Sequence, residues 1–405
     1  MSNSRHSPDN AESRSRIYLD NAATSWPKPS AVYDAVDHYQ RTIGAANGRG
    51  AYREARLAAE LVASARRRVA ELVGATRQDH VVFGLNGTDA LNMAIHGLLG
   101  EVASGKPAHV VTTVAEHNSV LRPLAELERK GRAIVTYAPC DPSGVVRPEF
   151  VLDAIRDDTR LVALTHASNV TGAVQPAAEI GAIARKHGAL FLLDAAQTLG
   201  EIDVNLDALN ADLLAAPGHK GLLGPLGTGV LVIRQSAADL IQARRQGGTG
   251  SQSGSNSQPW ELPDRLESGN LNMLGVAGLA ASVDWLLRRG PDKVHSHAVA
   301  LSKQLMEGLF ELPNVRQYGP TSPLDRVGIV SFNVRGFDPQ EVAAALDGVY
   351  GIQVRAGLHC APRMHEALAT MREGGTVRIS HGTFNAIEEI DAVLAAIGEL
   401  SASVF

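Results

Sequence analysis

The chain has 405 residues, 44% of them hydrophobic and 20% charged, with a formal charge of -5. That composition is globular and long enough for one large domain and a smaller one, and its charge gives no reason to expect nucleic acid or a membrane surface as a partner. Two cysteines in so long a chain exclude a disulfide framework and fit a reducing cytoplasm. No apolar run reaches bilayer-spanning length, and the histidines are scattered, so composition alone says nothing about a metal; none is assigned to the site.

Residues 1–15 are polar and lack the apolar core of a secretory signal, so they read as a disordered tail. Ile17–Asp20 is a short strand that runs into a turn over Trp26–Pro29. From Ser30 the pattern SAVYDAVDHYQRTI predicts an amphipathic helix capped by that serine. A glycine-rich loop over 44–50 follows, then a strong helix closed by Gly74. The rhythm then becomes strand, helix, strand. Strands are predicted over 81–85, 109–114, 161–168 and 189–196, with helices between them. The strand 189–196, ALFLLDAA, is nearly unbroken in apolar residues, as expected where both sheet faces are covered. The alternation predicts an α/β fold with a mostly parallel sheet. Residues 247–260 are polar and of low complexity, and read as a mobile loop. A helical pattern resumes at Gly275, and from about Pro313 a smaller α+β unit appears, ending in the strand 376–380 and a helix starting near Asn385.

Several residues on this frame suggest chemistry. Lys220 precedes the glycine-rich stretch GLLGPLGTG. A lysine desolvated there becomes an amine nucleophile, though an exposed turn lysine would look the same. Asp194 ends the most apolar strand. A carboxylate there needs a partner, and a protonated pyridine nitrogen would serve; capping the following turn is the plainer use. Gln197 faces the same side. Gly87 and Thr88 open a helix after a strand, a natural phosphate seat that ordinary capping would imitate. His117 follows a strand, where it could stack on a flat ring or lie on the surface. Cys360, in RAGLHCAPRMHE, is one reachable thiol whose basic neighbours Arg355, His359 and Arg363 favour a thiolate. Cys140 stands beside Asp141, which would raise its pKa, and reads as structural.

Lysine, pyridine-pairing aspartate, phosphate turn and ring-stacking histidine together are the protein's share of pyridoxal 5'-phosphate chemistry. On these residues, and on the motifs YLDNAAT, NGTDALN, AEHNS, THASNVTG, LLDAAQ, GHKGLLGPLGTG, ESGNLN, RAGLHCAP and VRIS, the chain resembles class V aminotransferase-fold enzymes of fold type I from about Ile17 to Ile397. Within them it is most similar to the cysteine desulfurases with a short catalytic-cysteine loop, and to selenocysteine lyases. The resemblance implies a large cofactor domain with a mostly parallel seven-stranded sheet over 30–275. It implies a small α+β domain over 276–405 that carries the cysteine loop, with 16–29 joining the small domain. It implies that Lys220 forms a Schiff base with the cofactor and later moves a proton. Asp194 would pair with the ring nitrogen, Gln197 with the ring hydroxyl, and His117 with the ring face, where it would also assist proton transfer. Gly87, Thr88 and His219 would hold the phosphate. Asn169 and Arg378 would bind the substrate, Arg378 by a two-pronged grip on its carboxylate, with Arg355 at the entrance. Cys360 would carry sulfur from L-cysteine or a related amino acid as a persulfide, for delivery to an acceptor protein. The enzyme would be a cytoplasmic homodimer in which the segment at Gly269–Asn270 reaches the neighbour's phosphate.

The sequence departs from that pattern where Pro217 replaces a phosphate-binding Ser or Thr, where Asn270 replaces Thr, and where Leu358 replaces a histidine. Pro217 has neither hydroxyl nor N–H, so one phosphate bond is missing or supplied otherwise. Another reaction on the same scaffold, by a selenocysteine lyase, C–S lyase, epimerase or aminotransferase, would need Lys220 but not Cys360. A non-catalytic docking protein would need neither.

Overall fold

The computed structural model describes residues 16–48, 50–100 and 106–403; the expected tail over 1–15 lies outside the described residues. The strands, in chain order, are β1 (Ile17–Tyr18), β2 (Val81–Gly84), β3 (Ala108–Thr113), β4 (Ala133–Ala138), β5 (Thr159–Thr165), β6 (Leu190–Asp194), β7 (Leu213–Pro217) and β8 (Gly229–Ile233), followed by β9 (Val315–Tyr318), β10 (Ile329–Val334), β11 (Ile352–Gln353), β12 (Arg355–Gly357) and β13 (Thr376–Ser380). Seven of them form one sheet in the order β2-β8-β7-β6-β5-β3-β4. Only β8 runs against the rest of that sheet, pairing antiparallel with both β2 and β7. The fold is thus α/β with a mostly parallel sheet, as the sequence predicted.

Alternate residues of one strand enter different cores. Phe191, Leu193 and Leu214 join the apolar cluster on one face, while Leu192 and Leu213 join the cluster on the other. Helices cover both faces, which is why β6 reads as an unbroken apolar run. A four-stranded antiparallel sheet, β12-β13-β10-β9, makes the smaller unit around its own core of Phe332, Val377, Ile379 and Ile390. Residues 17–20 belong here: β1 pairs in parallel with β11, and Asp20 bridges to Ser380.

Two local expectations are corrected. Ser30 is the first residue of helix Ser30–His38 rather than its cap; Pro29 holds the cap position and offers no side-chain hydrogen bond. A division between residues 275 and 276 would cut helix Met273–Arg289. Its buried Val276, Leu279, Val283 and Leu286 pack into the core of the seven-stranded sheet. The next helix, Pro291–Glu311, is the first whose Leu301, Leu305 and Leu309 enter the smaller core. The polar segment 247–260 is irregular, and Gln258 pins it by donating to the carbonyls of Asp264 (3.0 Å) and Arg265 (3.2 Å). Among the described residues, no helix is long and apolar enough to cross a membrane.

Candidate active site

Five strands of the large sheet end at one edge, and the residues just beyond their C-terminal ends line one cleft. This is where open α/β sheets bind ligands. Beyond β2 come Gly87 and Thr88; beyond β3, His117; beyond β5, Asn169; at and beyond β6, Asp194 and Gln197; and beyond β7, His219 and Lys220. Eight residues singled out from sequence therefore meet in one place. Pro217, Ser119 and Thr165 also line the wall.

One end of the cleft suits a phosphate. Helix Gly87–Leu99 starts there, capped by the Asn86 side chain, which accepts from the Asp89 N–H at 2.9 Å. The first-turn N–H groups of a helix lack intrahelical partners and sit at its positive end. Gly87 packs closely on Pro217, since a Cβ there would lie 3.0 Å from Pro217 Cδ and 3.2 Å from Pro217 N, tighter than ordinary contact. His219 adds a buried Nδ1 with no partner. Its backbone carbonyl is held from the N-terminal segment by the Ser25 N–H (3.0 Å) and Lys28 Nζ (2.9 Å).

The other end suits a flat cationic ring. Asp194 is buried, and burial pushes its carboxyl up to about 6 against the opposing pull of the Ala196 N–H and Lys220. A cation beside it would restore the carboxylate. Burial also lowers Lys220 to about 8, opposed by Asp194, which moves this amine toward the neutral, nucleophilic form. Asp194 Oδ1 accepts from the Ala196 N–H at 3.0 Å, so it also caps the turn after β6. Gln197 donates to the Ala22 carbonyl at 3.2 Å. His117 is held neutral: burial first, then Lys220 and Arg355, lower it to about 4. A buried carboxylate, a low-pKa lysine, an unpartnered imidazole nitrogen and a helix N-terminus fit a phosphorylated pyridine aldehyde.

Cys360, Arg355 and Arg378 adjoin the cleft without lining it. Arg355 and Arg378 face each other across the β12–β13 register. Arg378 is almost wholly buried and is not a free fork: Nη2 pairs with Asp20 at 2.8 Å and Nη1 donates to the Asn169 carbonyl at 3.0 Å. Its Nε is the buried donor without a partner. Any grip on a substrate carboxylate must therefore share the guanidinium with Asp20. Asn270 lies elsewhere, in a second cleft with Tyr39, Asn47, Thr249 and Asp264, so within this chain it does not meet Lys220.

The cysteine loop is clamped to the cleft wall. The Asn169 side chain donates to the His359 carbonyl at 2.6 Å, and the Asn118 N–H donates to the Cys360 carbonyl at 2.8 Å. Both His359 (φ 47°) and Cys360 (φ 60°) adopt left-handed backbone, an uncommon state for residues with a Cβ, and the thiol is exposed. Of the three basic neighbours expected to favour its thiolate, one is corrected. His359 is buried and neutral, its pKa pushed far down by burial and then by Arg378, and its Nε2 donates to the Thr376 carbonyl at 3.0 Å. Arg363 lies over the Tyr137 ring at 3.7 Å. Cys140 is half-buried, and burial more than Asp141 pushes its thiol to about 11.

Three contributors escaped the sequence reading. Ser119, Glu116 and Asp20 all sit inside the motifs AEHNS and YLDNAAT. A carboxylate flanked by buried residues at a strand end is the signal that would have found Glu116 and Asp20. Ser119 had no signal beyond its place two residues after His117.

The model of the family described as aminotransferase class-V matches residues 17–393. A probable cysteine desulfurase of Methanothermobacter thermautotrophicus is 37% identical over 390 residues, covering 96% of this chain and 95% of that protein. A cysteine desulfurase of Salmonella agona is 32% identical, covering 94% of this chain and 92% of its own length. The solved apo structure of a cysteine desulfurase from Thermococcus onnurineus superposes with a TM-score of 0.90 at 35% identity, covering 96% of this chain and 95% of that one. That of the cysteine desulfurase CsdA from Escherichia coli superposes with a TM-score of 0.85 at 26% identity, covering 96% and 95%.

Proposed function

The chain belongs to the aminotransferase class-V family, and on that premise we propose that it is a cysteine desulfurase that uses pyridoxal 5'-phosphate and takes the sulfur of L-cysteine onto Cys360. The observation that carries this reading is the backbone clamp. It ties the one exposed cysteine loop to Asn169, on the wall of the cleft that holds Lys220 and Asp194, and to Asn118, between the lining residues His117 and Ser119.

Gly87, Thr88 and His219 would hold the cofactor's phosphate, Asp194 its ring nitrogen, Gln197 its ring hydroxyl and His117 its ring face. The bound cofactor supplies an electron sink at the substrate's α-carbon. Lys220, neutral for part of the time near pH 8, anchors the cofactor and moves the α-proton. Asn169 and the unpartnered Nε of Arg378 orient the substrate carboxylate, with Arg355 at the entrance. Cys360 thiolate then attacks the substrate sulfur. The S–S bond forms as the C–S bond breaks, the C–S pair goes to carbon, and carbon gains a proton to leave as alanine. The persulfide on the exposed loop faces outward, where an acceptor protein can reach it. Asn270 would complete the site of a second copy in a homodimer.

The test is product analysis with L-cysteine under reductant. Cys360→Ala should release neither sulfide nor alanine above background while keeping the visible absorbance of the bound cofactor. Normal turnover by the variant would sink the reading.

A further inference from the structure

Ser119 lies in the first turn of helix Asn118–Arg129 and lines the cleft between Thr88 and His117, 7% exposed. Its backbone N–H donates to His117 Nδ1 at 3.0 Å. Its hydroxyl lies 2.8 Å from the same nitrogen and 2.7 Å from the Thr88 hydroxyl. A neutral imidazole has one lone-pair nitrogen and one N–H. A backbone amide can only donate, so Nδ1 is the lone-pair nitrogen and the ring proton sits on Nε2. That orients the hydroxyls too: facing a lone pair, Ser119 donates to Nδ1 and so accepts from Thr88.

We infer that Ser119 is a positioning residue that locks His117 in its neutral Nε2–H tautomer and links that lock, through Thr88, to the phosphate end of the cleft. The inference rests on reading the cleft as the cofactor site, but the bonds concerned lie within this chain. A neutral imidazole takes up a proton at its lone pair, here Nδ1, so His117 can become charged only by giving up the Ser119 N–H bond and reversing the hydroxyl bond, with Ser119 turning its proton toward Thr88. His117 therefore serves the cleft as a stacking face and an Nε2–H donor, and proton transfer falls to Lys220. The surrounding charges agree. Lys220, Arg355, Arg122 and Arg378 all disfavour a cationic ring. Of the nearby acids, Glu116 is turned toward Thr113 and Thr165, and Asp194 lies in the cleft wall with Lys220. An arriving phosphate would draw the Thr88 proton away from Ser119, so occupancy of that end is felt at His117.

Histidine-selective ¹⁵N labelling of the full chain tests this, with and without pyridoxal phosphate, with His117 assigned from His117→Gln. The wild-type protein should show an unprotonated Nδ1 in both forms. In Ser119→Ala, loss of one hydrogen bond to the neutral ring should raise the His117 pKa by about half to one unit, and Ser119→Thr should restore it. A protonated Nδ1 in the wild type, or an unchanged titration in folded Ser119→Ala, would overturn the inference. Failure of pyridoxal phosphate to bind would instead count against the proposed function, since the tautomer is read in the cofactor-free protein as well.

Discussion

Glu116 sits fully buried between the ends of β3 and β5, one residue before His117. Its Oε1 accepts from the Thr113 hydroxyl (2.7 Å) and the Thr165 N–H (3.0 Å), while Oε2 has no partner. Burial raises this carboxyl to about 8. Between the ordinary carboxylate range and pH 8 the folded chain therefore holds a proton that the unfolded chain has lost. Stability contributed by this group is full at low pH and falls as pH rises across that window, by at most about 1.4 kcal/mol per pH unit. Glu116→Gln keeps an acceptor for both bonds and removes the titration. Urea unfolding at pH 5.5 and 7.5 should show a smaller loss of stability with rising pH in the variant than in the wild type; parallel slopes would mean that Glu116 ionises in place. Lys220, Asp194 and Cys360 were legible because each breaks a local rule, being charged or reactive where the pattern calls for apolar residues or an inert loop. Glu116 breaks that rule as well, as a carboxylate at the buried end of a strand, while Ser119 breaks none. Their roles come from neighbours contributed by other elements.

The strands that build the site were legible from their apolar runs, because burial on both faces leaves no room for polar residues. The small pairing that sets Arg355 opposite Arg378 was not. β12 has three residues, and its partnership with β13 depends on a close approach at Gly375. That glycine has φ 102°, and a Cβ there would overlap the Gly357 carbonyl. Gly375→Ala should thus be strained twice, by backbone conformation and by contact. We expect it to cost about 2 kcal/mol or more and to weaken turnover of cysteine more than cofactor binding, since Arg355 and the cysteine loop shift while Lys220 and Asp194 do not. Equal losses in thermal stability and in both activities for an Ala at exposed, unhindered Gly348 would show that the effect is not specific to this pairing.

At the scale of the molecule, the two sheets are joined near the site by the N-terminal segment. Asn21 donates to the Ser380 carbonyl and to Asn385 Oδ1, both at 3.1 Å, and accepts from the Trp26 N–H at 3.1 Å. Ser25 and Lys28, a few residues on, hold the His219 carbonyl beside Lys220. Asn21→Ala would leave several buried groups unpaired, at about 1–3 kcal/mol for each that finds no water. The expected outcome is a clear fall in melting temperature together with weaker cofactor retention. A fall in stability with cofactor affinity intact would mean that the segment braces the small sheet alone.

The sequence by itself determined the α/β rhythm, the strand ends that meet at one edge, and the residue types that suit a phosphorylated pyridine cofactor and a reactive thiol. These follow from local periodicity and from the cost of burying charge, both of which act over a few residues. Only the tertiary structure decided that Arg378 is shared with Asp20, 358 positions away, that His359 is a neutral prop against Thr376 rather than a charge beside the thiol, and that helix Met273–Arg289 belongs to the larger core. Those outcomes depend on which distant groups burial brings into contact, and pairwise contacts across hundreds of residues leave no periodic trace in one chain.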